Sequence, residues 1–199
     1  MSAGFVRLQN AENAMLGPLL AGAGVDWVLE LAPLSGGAPA LGVPRHRMLM
    51  DENGWAWPCR APAAALPFAD EQLPAIVLRH LFWRAFGPEL LADAVRCLKP
   101  GGLLVSVSAN PWHRKSWQEL GRRALHLPAW PRLLMQHARH SLLLQVPATA
   151  HWQGIVPGVA PLLLVVARKP PRGPRVRALR FPARAQTMTH SVPTSCRAA

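Results

Sequence analysis

The fold is decided by one stretch, Leu66–Trp112, which reads LPFADEQLPAIVLRHLFWRAFGPELLADAVRCLKPGGLLVSVSANPW. Ala75–Leu78 is a short apolar run of the kind that forms a strand buried on both faces. Pro88–Leu98 spaces its leucines, alanines and valine at helical intervals, with Pro88 in the first turn, where a missing N–H costs nothing. Lys99-Pro100-Gly101-Gly102 breaks the helix and turns the chain, and Leu103–Ser108 is a second buried strand. Strand, helix, turn and strand in that order form one crossover unit of a parallel sheet.

Working outward, Ala11–Ala21 reads as a short leading helix weakened by Gly17 and Pro18, and Asp26–Leu31 as an apolar strand. The turn-rich APLSGGAPALG follows, and then Arg47–Met50 as a second strand. Only about 16 residues separate these two strand cores, so the connection between them must be shorter than a full helical crossover. Trp55–Ala65, with Pro58 and Pro62, reads as irregular. Beyond Trp112, Ser116–Leu125 is a helix with a capping-box pair in Ser116 and Glu119. Trp130–Leu144 is a further helix, and Pro161–Arg168 a late strand at or next to the sheet edge. The expected fold class is α/β, a Rossmann-like three-layer sandwich with a mostly parallel sheet and an abbreviated first crossover. The domain occupies residues 1–168, and 169–199 form a basic, Pro/Arg-rich tail that lacks periodicity and reads as disordered or loosely docked.

Composition narrows the function classes. The 199 residues suffice for one core, and the 21 prolines and 15 glycines predict short elements. Three widely spaced cysteines (Cys59, Cys97, Cys196) form no CxxC pair, which argues against a disulfide framework and against a zinc site. No apolar run approaches the ~20 residues that span a bilayer, and Met1–Asn10 lacks a signal-peptide core, so a cytoplasmic protein is expected. The net charge of +12 favours anionic partners, nucleic acid included, through the basic tail. The same charge is also what an arginine-rich proteome would produce. Walker, HExxH and GxSxG patterns are absent.

The stretch from Val25 to Asn110 resembles the class I S-adenosylmethionine (SAM) dependent methyltransferases, most closely from LPFADEQLPAIVLRHLF through Lys-Pro-Gly-Gly. In VLELAPLSGG, Glu30 stands at the position of that family's first-strand acid, Ala32 at its usual first glycine, and Gly36 and Gly37 supply backbone freedom near the cofactor. The resemblance makes Asp51 the acceptor for the ribose hydroxyls, although the same side chain is suited to capping the Asp-Glu-Asn-Gly turn. It places Leu66, Pro67 and Phe68 beside the adenine, while the usual acid just before them is absent from Pro62-Ala63-Ala64-Ala65. Arg79 and His80 then fall after the fourth strand, in the cleft. His80 is either a general base or a packed wall residue. Asn110-Pro111-Trp112 resembles a signature of small bacterial methyltransferases related to the ubiquinone and biotin-pathway type. Asn110, Trp112 and Arg114 thereby border the acceptor, with Trp112 as a stacking surface and Arg114 as a partner for an anionic group. The implied activity is methyl transfer from SAM to a small or nucleotide-like acceptor. The alternative is a non-catalytic module of the same fold that binds nucleic acid or a protein through its basic surface.

Overall fold

A computed structural model describes residues 6–34, 38, 41–82, 87–140, 142–145 and 160–172. Helix α1 (Val6–Gly22) leads into β1 (Val28–Pro33), β2 (Arg45–Asp51) and β3 (Gly54–Trp57). β4 (Leu73–Arg79), α2 (Gly87–Cys97) and β5 (Leu98–Ala109) form the crossover unit. α3 (Arg114–Leu120) runs into a 3₁₀ segment (Gly121–His126), followed by α4 (Trp130–Ala138), β6 (Leu143–Gln145) and β7 (Leu162–Arg168). The seven strands make one sheet in the order β3-β2-β1-β4-β5-β7-β6. β2, β1, β4 and β5 are parallel neighbours, whereas β3 runs against β2, and β7 runs against both β5 and β6.

The central strands are apolar on both faces because helices cover both faces. Along β4 the side chains alternate by the strand period of two. Ala75 and Val77 pack with α1 leucines Leu8, Leu16, Leu19 and Leu20, and Ile76 and Leu78 with Leu90, Leu91 and Ala94 of α2 and Leu133 of α4. The result is the expected three-layer α/β arrangement.

The leading helix expected over Ala11–Ala21 is present as α1, which starts earlier, at Val6, and runs through Pro18 to Gly22, since the buried leucine stripe outweighs the one backbone hydrogen bond that proline removes. Three local expectations need correction. Gly54–Trp57 is a strand rather than irregular chain: Asp51-Glu52-Asn53-Gly54 forms a hairpin turn, and β3 returns along β2 with Trp55 packed in the core. The cap of α3 is His113, whose Nδ1 accepts from Lys115 N at 3.0 Å. Ser116 lies a turn inside, and its buried Oγ has no hydrogen-bond partner among the described residues. Finally, α4 stops at Ala138, and Leu143–Gln145 pairs with β7 as an edge strand instead of extending the helix.

The Lys-Pro-Gly-Gly turn is a bulge within β5. Leu73 pairs with Leu98 but Ala75 with Leu103, so Lys99–Gly102 loop out of register. Beside this bulge, Lys169 donates to Val95 O at 2.9 Å and Leu98 O at 2.8 Å, and so closes the C-terminus of α2. Arg172 pairs with Glu71. The remainder of the basic tail, from residue 173, lies outside the described residues.

Candidate functional site

The chain leaves β1 toward β2 on one side of the sheet, and later fills β4 and β5 on the other. The gap between β1 and β4 is therefore the topological switch point, and in open α/β sheets the ligand crevice opens at the carboxyl ends of such strands. Three of the residues singled out from sequence meet there. Glu30 of β1, Arg79 at the end of β4 and His80 just after it are all buried.

They meet through a fourth residue, Glu12 of α1. Its carboxylate takes two contacts from Arg79, one of them from Nε at 3.1 Å, and another from His80 Nε2. Arg79 Nη1 donates to Glu30 Oε1 at 2.8 Å. Glu30 Oε2 lies 3.3 Å from Arg45 Nη1 and 3.2 Å from Arg47 Nε, on β2. Strand alternation explains the grouping. Glu30, Arg45, Arg47 and Arg79 share the sheet face that α1 covers, opposite Leu29, Leu31, Met48 and Leu78. Burial by itself would raise the Glu12 pKa. The hydrogen bond and charge of His80, with those of Arg79, outweigh it and hold the carboxylate below its ordinary value of 4.5.

His80 sits at φ 52, a left-handed conformation that costs a non-glycine residue about 1–2 kcal/mol. Its own amide keeps the ladder going with a 2.8 Å bond to Val107 O. Strain of this kind persists where surrounding contacts over-determine it, and here Glu12 and the β5 backbone do so.

Glu12 was legible in principle. It stands in register with Leu8, Leu16 and Leu20, at intervals of four, on the buried stripe of α1. An acid on such a stripe needs a buried cation, and the Arg-His pair ending an apolar strand supplies one.

The other singled-out residues are distributed differently. Asp51 ends β2 at the carboxyl edge, half-buried, with Oδ1 accepting from Asn53 N at 2.8 Å. It caps the hairpin turn, and Oδ2 carries no hydrogen bond among the described residues. Ala32 is buried within β1, and Gly36 and Gly37 lie outside the described residues. Leu66, Pro67 and Phe68 are not brought to the crevice. Leu66 N donates to Asp93 at 2.5 Å, and Arg96 donates to Phe68 O at 3.0 Å and Leu66 O at 3.3 Å. These partners lie on the last turns of α2, which ends at the amino edge of the sheet, so the three residues are held in a clamp against α2. The same clamp includes Asp70, 2.6 Å from Arg96, and the Cys97 thiol, which burial pushes up to about 11 and which donates to Phe68 O.

Asn110 is internal. Its Nδ2 donates to Ala160 O at 2.8 Å, and its Oδ1 accepts from Trp112 N at 3.0 Å, which fixes the loop after β5. That loop presents Trp112 and Arg114 outward at the carboxyl edge.

A separate buried pair lies on the opposite face of the sheet. Ser106 Oγ and His137 Nε2 are 2.7 Å apart, and His137 Nδ1 donates to Leu133 O at 2.8 Å. Burial lowers the pKa of this imidazole below 6.5. The unfolded chain therefore takes up a proton below pH 6.5 that the folded chain refuses. Stability is full above that pH and falls as the pH drops toward the folded value, by up to about 1.4 kcal/mol per pH unit. Urea midpoints at pH 7.5 and 5.5 should show the loss, and His137→Gln should reduce it.

Among the described residues no cluster of three metal-ligating side chains occurs, and no helix is long and apolar enough to cross a membrane. No family model and no curated protein matches the chain. Solved structures do. A SAM-dependent methyltransferase from Aquifex aeolicus aligns with a TM-score of 0.54 at 12% identity, covering 82% of this chain and 96% of that one. A chain of the complex between the Haloferax volcanii Trm112 methyltransferase activator and the putative methyltransferase aligns at 0.50 and 13%, covering 83% and 93%. With its strand order and its switch point between β1 and β4, this chain has the class I SAM-dependent methyltransferase fold.

Proposed function

We propose that the chain transfers a methyl group from SAM to a small acceptor bound at the carboxyl edge of the sheet. The observation that carries this reading is the convergence of strained and charged residues at the β1/β4 switch point, where this architecture binds its ligands. SAM supplies an electrophilic methyl group on a sulfonium. The residues present fit its ribose end: Asp51 stands at the end of β2 with one carboxylate oxygen available to hydroxyl donors. They do not fit the remaining expectation for the acid of β1, because both oxygens of Glu30 are engaged by arginines and its side chain is 0% exposed. In this reading Glu30 acts indirectly, by holding Arg79 and hence the end of β4. His80, buried and tied to Glu12, suits a wall that orients ligands better than a base that must touch the acceptor. Trp112 and Arg114 form the acceptor-side rim, and catalysis rests on positioning the two reactants for in-line displacement.

A second reading is favoured by one observation, the internal neutralisation of Glu30. A protein of this fold that binds a partner without transferring methyl groups would have no use for a free acid there. Calorimetric titration with SAM and S-adenosylhomocysteine separates the two. Methyl transfer predicts binding that Asp51→Ala weakens about tenfold or more, the worth of a charge-assisted hydrogen bond. A folded protein that takes up neither ligand would leave the non-catalytic reading.

A further inference from the structure

On the face of the molecule that adjoins the crevice, Trp112–His126 forms a surface with a consistent chemistry. Trp112 is 70% exposed, Leu125 52% and Trp117 39%. Around them stand Arg114, Lys115, Arg122 and Arg123, all exposed, against a single acid, Glu119. The backbone enforces the arrangement. In a 3₁₀ segment residues three apart eclipse, so Ala124 and Leu127 turn inward and are buried, leaving Arg122 and Leu125 on one outer ridge and Arg123 and His126 on the next. Trp117 is held by its own Nε1, which donates to Pro111 O at 2.7 Å, so its ring is fixed beside the loop that carries Trp112.

Scattered exposed apolar residues are ordinary, but three large ones beside four cations are the pattern of a helix that lies in a membrane interface. Indole rings settle at the level of the lipid headgroups. Leucine enters the acyl boundary, and arginine and lysine reach back to the phosphates. We propose that this α3–3₁₀ surface docks on an anionic lipid bilayer, without spanning it, with the mouth of the crevice turned along the membrane plane. Charge complementarity selects the occupant. A net charge of +12, with four cations on this patch, is attracted to an anionic leaflet at about 1 kcal/mol for each basic residue near it. Single-stranded nucleic acid is the competing polyanion. It would use the tryptophans as stacking platforms and leave Leu125 without a role.

The test uses the full chain and vesicles of phosphatidylcholine with about one third phosphatidylglycerol, read by co-sedimentation. Binding is expected at low salt, with much weaker binding to pure phosphatidylcholine and progressive loss as salt rises. Arg122→Glu with Arg123→Glu should weaken it by about thirtyfold or more, the effect of two lost basic contacts. Arginines at 175, 177, 180, 184 and 197 add affinity for any polyanion, so the apolar half decides. Trp112→Ala with Leu125→Ser should also weaken vesicle binding by tenfold or more. Brominated acyl chains should quench the protein's fluorescence less in Trp112→Phe. Vesicle binding that ignores the Trp112 and Leu125 substitutions, or lack of binding to anionic vesicles, overturns the proposal. So does a surface whose substitutions abolish binding to single-stranded RNA while vesicles remain unbound. Arg122, Arg123 and Leu125 lie outside the residues assigned to the methyl-transfer site and vesicle binding is read without SAM, so failure here leaves the methyl-transfer reading untouched.

Discussion

Replacing Arg79 with methionine should cost about 3 kcal/mol of unfolding free energy, read as a lowered urea midpoint with an unchanged slope. Arg79 is the hub of the ion network: it bridges the carboxylate of α1 to the carboxylate of β1, and all three side chains are out of solvent. Removing it leaves two buried acids. Glu30 keeps Arg45 and Arg47, whose side chains are 27% and 22% exposed, so part of its charge is still answered. Glu12 keeps, among the described residues, only His80. The loss therefore falls toward the lower end of the range for a broken buried pair, rather than its top. The reverse comparison is as informative. Charges taken out of water repay little of their desolvation, so replacing Glu12, Glu30 and Arg79 together by leucine should cost less than the single change. A single Arg79→Met change costing under 1 kcal/mol would mean that water enters the network and that α1 is not locked to β4.

The same network sets an acid limb of stability. Because the folded state holds the Glu12 pKa below 4.5, Glu12 contributes stability that is complete above that pH. The contribution fades as the pH falls through the lower folded value, where the carboxylate finally takes its proton. Arg79→Met removes part of the cause, so the mutant should lose less than the parent between pH 5 and pH 3.

What could be read from sequence was set by locality. Helix α2, the strands on either side of it and the interrupted crossover after β1 follow from periodicity and from glycine and proline placement, each over a dozen residues. The site was half legible for the opposite reason. Glu30, Arg79 and His80 announce themselves as charged or polar groups in or beside apolar strands, but the acid that joins Arg79 and His80 is 67 residues from Arg79 along the chain, in α1. The clamp of Leu66–Phe68 by Asp93 and Arg96 was not legible at all, because it is an interaction between neighbouring elements that no spacing within the motif displays. β3 escaped notice because its four residues are too short to show alternation and are followed directly by a proline.

That short strand is also where a single methyl group should do the most harm. Gly54 has φ +130, a backbone conformation open to glycine and costly to any residue with a Cβ. A Cβ built there would stand 2.5 Å from Ala61 O and 3.2 Å from Ala63 N. Both are backbone atoms of the segment that bonds Trp55, through Trp55 N to Ala61 O at 2.8 Å and Ala61 N to Trp55 O at 3.3 Å. Neither neighbour can rotate aside, so Gly54→Ala combines backbone strain with overpacking, for a loss of about 3 kcal/mol or more. Gly101→Ala supplies the contrast. It also has positive φ, +77, but nothing among the described residues lies within 4 Å of the added carbon, so strain alone applies and about 1 kcal/mol is expected. The consequence for function separates the two further. Gly54 closes the turn that Asp51 caps, and relieving the clash must shift either that turn or the Ala61–Ala63 segment beside it. If Asp51 holds the ribose of SAM, Gly54→Ala should weaken SAM binding in a sample still folded at low temperature, while Gly101→Ala leaves it unchanged. Equal unfolding losses in the two variants would show that the hairpin yields without cost, and that Asp51 is not rigidly placed at the carboxyl edge.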